Sequence, residues 1–68
     1  MAATRWVQRM HGPFQAHVAR LNGCALTILG GEDWWMWIVR SRHGNRVEGK
    51  TDTLATAKIA ATMPFALL

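Results

Sequence analysis

The chain has 68 residues, half of them hydrophobic, with eight Lys and Arg against four Asp and Glu, a formal charge of +4 when its three histidines are neutral. That length limits it to one domain, which buries only about 60% of the surface it exposes unfolded. Its hydrophobic content excludes a disordered basic tail, and its single cysteine, Cys24, excludes an intramolecular disulfide.

Residues 1–13 read as an N-terminal arm or a short edge element. Arg5-Trp6-Val7-Gln8-Arg9-Met10 is apolar enough to dock, but His11-Gly12-Pro13 breaks whatever element it forms, because proline lacks an amide donor and fixes φ. No apolar core of 7–15 residues follows Arg5, as a secretion signal requires, and the longest apolar run falls far short of the roughly 20 residues that span a bilayer. With a lone cysteine, these features lead to the expectation of a soluble cytoplasmic protein with no membrane partner.

From Phe14 to Leu21 the pattern is that of a strand, and Asn22-Gly23 is a strong hairpin signal because both positions tolerate positive φ. A two-residue loop there sets Leu21 opposite Cys24, Ala19 opposite Leu26 and His17 opposite Ile28. The second strand, Cys24 to Leu29, leads through Gly30-Gly31-Glu32-Asp33 into the aromatic run Trp34 to Val39. Taking those four residues as the loop pairs Leu29 with Trp34, Ile28 with Trp35, Leu26 with Trp37 and Cys24 with Val39. Leu21, Ala19, Cys24, Leu26, Ile28, Trp35, Trp37 and Val39 then share one face, the predicted core.

A three-residue turn, His43-Gly44-Asn45 with Asn45 in the left-handed region, introduces a last strand from Arg46 to about Lys50. It sets Val47 beside Ser41 and Glu48 opposite Arg40 as a cross-strand ion pair. Thr51-Asp52-Thr53 then offers N-cap oxygens to an alanine-rich helix over 53–63, about 16 Å long, which Pro64 stops. A helix so short must pack to persist. The expected fold class is therefore α+β: an antiparallel β-meander of three to four strands (14–50), then one C-terminal helix on one sheet face (53–63) and an apolar tail (64–68).

One helix covers one face, so the opposite face becomes the functional question. The predicted register puts Phe14, Ala16, Val18, Arg20, Ala25, Thr27, Leu29, Trp34, Met36, Ile38, Arg40, Glu48 and Lys50 there. A contiguous apolar patch of this kind marks an interaction surface, with Val18, Trp34, Met36 and Ile38 as its centre and Arg20 and Arg40 at its rim. Three covers are open: Trp6, Val7 and Met10 folding back with Phe65, Leu67 and Leu68 as a second small core; a second copy in a homodimer; or another protein. The expected function is a non-enzymatic binding module whose second sheet face makes a protein contact, most simply with another copy of the chain; the alternative is a nucleic-acid partner, for which Arg20, Arg40, Arg42, Arg46 and Lys50 form a candidate basic edge and Trp34 a stacking platform.

Chemistry finds less support. His11, His17, His43 and Cys24 match no zinc spacing, Cys24 lies on the core face as a small hydrophobe, and Glu32, Asp33, Glu48 and Asp52 are scattered among two loops, a strand and a helix entry. No metal, no cofactor and no catalytic residue is expected.

The pattern Trp35-x-Trp37-x-Val39, Gly44, Val47, Gly49, Thr51-Asp52-Thr53-Leu54, Ala57-Lys58 and Ala60-Ala61 resembles small bacterial and prophage-type proteins built as a β-meander plus one helix. More weakly it resembles the three-stranded-sheet-plus-helix DNA-binding domains of the AP2 type and the arm-binding domains of tyrosine recombinases. That second resemblance implies DNA contact through the sheet by Arg20, Arg40, Arg42 and Lys50.

Overall fold

Five segments take the extended conformation that their β-branched and aromatic residues favour: β1 (Val7–His11), β2 (Phe14–Leu21), β3 (Cys24–Gly31), β4 (Trp34–Arg40) and β5 (Arg46–Thr51). Helix α1 (Leu54–Thr62) follows. The computed structural model describes residues 4–21 and 23–63; Asn22, Pro64 and the apolar tail lie outside the described residues. The strands form one antiparallel sheet in the order β1-β2-β3-β4-β5, so every strand pairs with its neighbour in sequence.

The sheet therefore has five strands, where three to four were expected. The added one is β1, drawn from the segment read as an arm. Gly12-Pro13, read as a breaker, is instead a two-residue hairpin loop with His11 paired to Phe14. Gly12 has φ 64°, and a positive φ followed by proline's fixed negative φ has the sign pattern of a type II′ turn, which matches strand twist.

The β2–β3 register is the expected one, with Leu21 opposite Cys24, Ala19 opposite Leu26 and His17 opposite Ile28. The next two pairings each differ from expectation by two residues. β3 and β4 are joined by Glu32-Asp33 alone, so Trp35 faces Gly30, Trp37 faces Ile28 and Val39 faces Leu26. On β5, Val47 faces Val39, Glu48 faces Ile38 and Gly49 faces Trp37. The Glu48 carboxylate accordingly pairs with Arg46 on its own strand, at 2.8 Å, and not with Arg40.

Both shifts have one cause. Each indole lies over a glycine of the neighbouring strand, where no side chain competes for the space. A methyl group at Gly49 would stand 2.7 Å from Trp37 Cζ2, and one at Gly30 would meet the Trp34 carbonyl oxygen and stand 3.0 Å from Trp35 Cε3. Because a slip of two residues preserves side-chain alternation, the core face survives as predicted. Ala19, Cys24, Leu26, Ile28, Trp35 and Val39 are buried together with Ala57 and Ala61 of α1, and Leu21 and Trp37 pack against them.

The loop between β4 and β5 spans five residues and is knit by Ser41. Its Oγ accepts from the amides of His43 and Asn45, and its own amide donates to the Asn45 carbonyl at 2.8 Å. The positive φ in this loop belongs to Gly44, at 91°. Helix α1 starts at Thr53, whose Oγ1 accepts from the Thr56 amide at 3.2 Å, an N-cap worth about 1 kcal/mol. It contacts β3, β4 and β5, and the small Ala57 and Ala61 allow that approach.

Substituting Gly49→Ala forces the Trp37 ring to move and should cost about 1–3 kcal/mol, the usual penalty of overpacking. Gly31→Ala, where an added methyl meets nothing within 4 Å, should leave stability within about 0.5 kcal/mol of the parent. Urea denaturation of both variants checks the pair, and equal losses would contradict the role given to Gly49.

Candidate functional site

The face opposite α1 is built from four cross-strand rows, each set by the register. At one end Phe14 and Trp34 flank Gly31, their ring centroids 5.6 Å apart and inclined at 65°. The second row runs Arg9, Ala16, Leu29, Met36, Lys50 and the third Val7, Val18, Thr27, Ile38, Glu48. At the far end stand Arg20, Ala25, Arg40 and Arg46. Beyond Val7, Arg5 joins Arg20 in lining a groove of about 380 Å3 with Val7, Val18 and Thr27.

The middle of this face is apolar. Ala16, Val18, Leu29, Met36 and Ile38 are half-buried by their neighbours in the sheet, and among the described residues no element packs over them. Of the three covers left open, the one built from Trp6, Val7 and Met10 with Phe65, Leu67 and Leu68 differs in its N-terminal half: Trp6 packs against the helix-side core, where Lys58 Nζ stands 5.8 Å from its ring centroid, and Phe65, Leu67 and Leu68 lie outside the described residues. Met10 alternates onto the same side, while Val7 lies within the open face as part of the edge strand.

The rim is cationic. Arg9 and Lys50 occupy the two sheet edges of one row, and Arg20, Arg40 and Arg46 form the end row with Arg5 beside them. Six of the eight Lys and Arg thus lie on this face. Glu48, bonded to Arg46, is the one carboxylate in the rows. Arg40 and Arg46 are direct cross-strand partners, a like-charge placement that is destabilising on its own.

Of the sequence-derived candidates, Val18, Met36 and Ile38 come together in the central rows, Trp34 sits at the aromatic end, and Arg20, Arg40 and Arg46 align. Lys50 joins them from the β5 edge. Arg42 stays in the β4–β5 loop at the arginine end, its side chain 3.6 Å from where a Gly23 methyl would stand. Arg5 and Arg9 were missed, although they alternate in phase with Val7 and so carried the period of a one-faced strand.

The groups with acid–base or nucleophilic chemistry are spread over the described residues. Glu32 and Asp33 occupy one tight turn, Glu48 lies on β5, Asp52 precedes α1, and Cys24 is buried in the core. Among the described residues no cluster of three or more His, Cys, Asp or Glu could hold a metal, and no helix is long and apolar enough to cross a membrane. No family model, curated protein or solved structure matches the chain.

His17 lies on the helix side, 6% exposed, with its ring 5.8 Å from that of Trp35 and Gln8 opposite it on β1. Its Nε2 is buried without a hydrogen-bond partner among the described residues. Burial chiefly, and the Lys58 charge second, hold its pKa below the ordinary 6.5. The neutral ring is therefore the folded form. Its contribution is complete above about pH 6.5 and is lost as pH falls from there toward the lowered folded-state value. The melting temperature should fall between about pH 7 and pH 5, and His17→Leu should reduce that fall; identical pH profiles would assign the loss to other groups.

Proposed function

We propose that the protein is a non-enzymatic binding module whose open sheet face engages an anionic polymer, a nucleic acid, with the arginine row and the two edge cations reaching phosphates. The segregation of six of the eight cations onto the one face that α1 leaves uncovered carries this assignment. The placement of Arg40 opposite Arg46, whose guanidinium is also held by Glu48, puts two cations where one phosphate could reach both. The resemblance to sheet-reading DNA-binding domains agrees in kind, through Arg20, Arg40 and Lys50, while the assignment itself rests on the charge.

Self-association through the same face is the second reading, favoured by its apolar centre of Val18, Leu29, Met36 and Ile38. Charge weighs against it: two copies would bring two six-cation faces together.

Fluorescence anisotropy with labelled oligonucleotides across a salt series tests the assignment. With about four or five phosphates engaged, log K should fall against log salt with a slope near −3, and Arg20→Ala with Arg40→Ala should make it shallower by about one unit for each phosphate-binding cation removed. Absence of binding, together with a salt-resistant solution mass of twice 7.6 kDa that Met36→Asp abolishes, would overturn it in favour of the dimer.

A further inference from the structure

The apolar centre distinguishes between forms of nucleic acid. A duplex stacks its bases inside and presents phosphates and groove edges that are polar except for the thymine methyl, so pressing Leu29, Met36 and Ile38 against it would set apolar surface mostly against polar groups. A single strand exposes the faces of its bases, which stack on aromatic side chains irrespective of sequence.

Among the described residues two exposed aromatics stand where such a base would end. Trp34 is 39% and Phe14 37% exposed, and with Pro13, Gly31, Glu32 and Asp33 they line a hollow of about 200 Å3. Their rings meet at 65° across the row that holds Gly31. Glu32 and Asp33 disfavour a phosphate at this end and accept hydrogen bonds from base amino groups. From Trp34 to Arg40 the face runs about 20 Å at ~3.4 Å per residue, a length suited to ~4 nucleotides, the smallest single-strand sites.

We infer that the open face is a single-stranded nucleic-acid site: cations at the arginine end and at both sheet edges hold the backbone, the bases lie on the Leu29, Met36 and Ile38 surface, and one base stacks on Trp34. This inference rests on the polyanion assignment, and its test is arranged so that the two fail separately.

The full chain is titrated with a mixed-sequence single-stranded oligodeoxynucleotide, the same sequence as a duplex, and an abasic oligomer of equal charge. The single strand should bind at least about tenfold more tightly than the abasic oligomer, the lower range of what one stacked base contributes, and more tightly than the duplex. Trp34→Ala should remove roughly that factor for the single strand and leave the abasic oligomer unaffected, and Trp34→Phe should retain most of it; thermal melts confirm that both variants fold. Equal affinity for all three probes, or preference for the duplex, overturns the single-strand inference and leaves polyanion binding standing. Loss of binding to every probe removes both.

Discussion

Two tryptophans placed opposite two glycines set the geometry on which the rest of this sheet depends. Trp35 faces Gly30 and Trp37 faces Gly49, and neither glycine has room for a methyl group. An indole laid along the sheet buries its area without standing up between the strands and the helix. Small residues on the helix then complete the contact, and Ala57 and Ala61 are wholly buried. Leu26, Ile28 and Val39 are fully buried on the same face, each contributing on the order of 1.5–3 kcal/mol, so among the described residues the core lies on one side of the sheet.

The ends of the chain reinforce that sidedness. On the helix side, Trp6 extends the core past the start of β1 and receives Lys58 over its ring, which ties the first strand of the meander to the last element of the fold. Thr53 caps the helix and Ser41 closes the loop that delivers β5 beneath it. Each of these contacts draws apolar surface to the same face. The other face is left with whatever the alternate positions carry.

Which residues share a face was legible in the sequence because the alternation of a strand is insensitive to slips of two. Asn22-Gly23 fixed the β2–β3 pairing, and the core of Ala19, Leu26, Ile28, Trp35 and Val39 followed from it. Register beyond that hairpin was not legible, since matching apolar residue to apolar residue favours Leu29 for Trp34 and overlooks the space that a glycine offers to an indole. The first strand was hidden for a related reason. Gly12-Pro13 reads equally as the end of an element and as the tight turn between two, and only pairing with β2 decides. Missing that strand removed Arg5 and Arg9 from the candidate site and so understated its charge.

The distribution of charge follows from the same confinement of the core. A sheet face left open in a domain this small invites association with any apolar surface, and exposed sheets escape it by carrying charge among their apolar residues. Here the cations stand at both edges and along one end, around the apolar centre and in it hardly at all. On the reading proposed above, the like-charged rim would oppose self-association while attracting a polymer whose phosphates match the rim and whose bases match the centre. The tryptophans and the alanine helix draw the core to the opposite face, and among the described residues that leaves the cationic and apolar side chains of this one without a covering element.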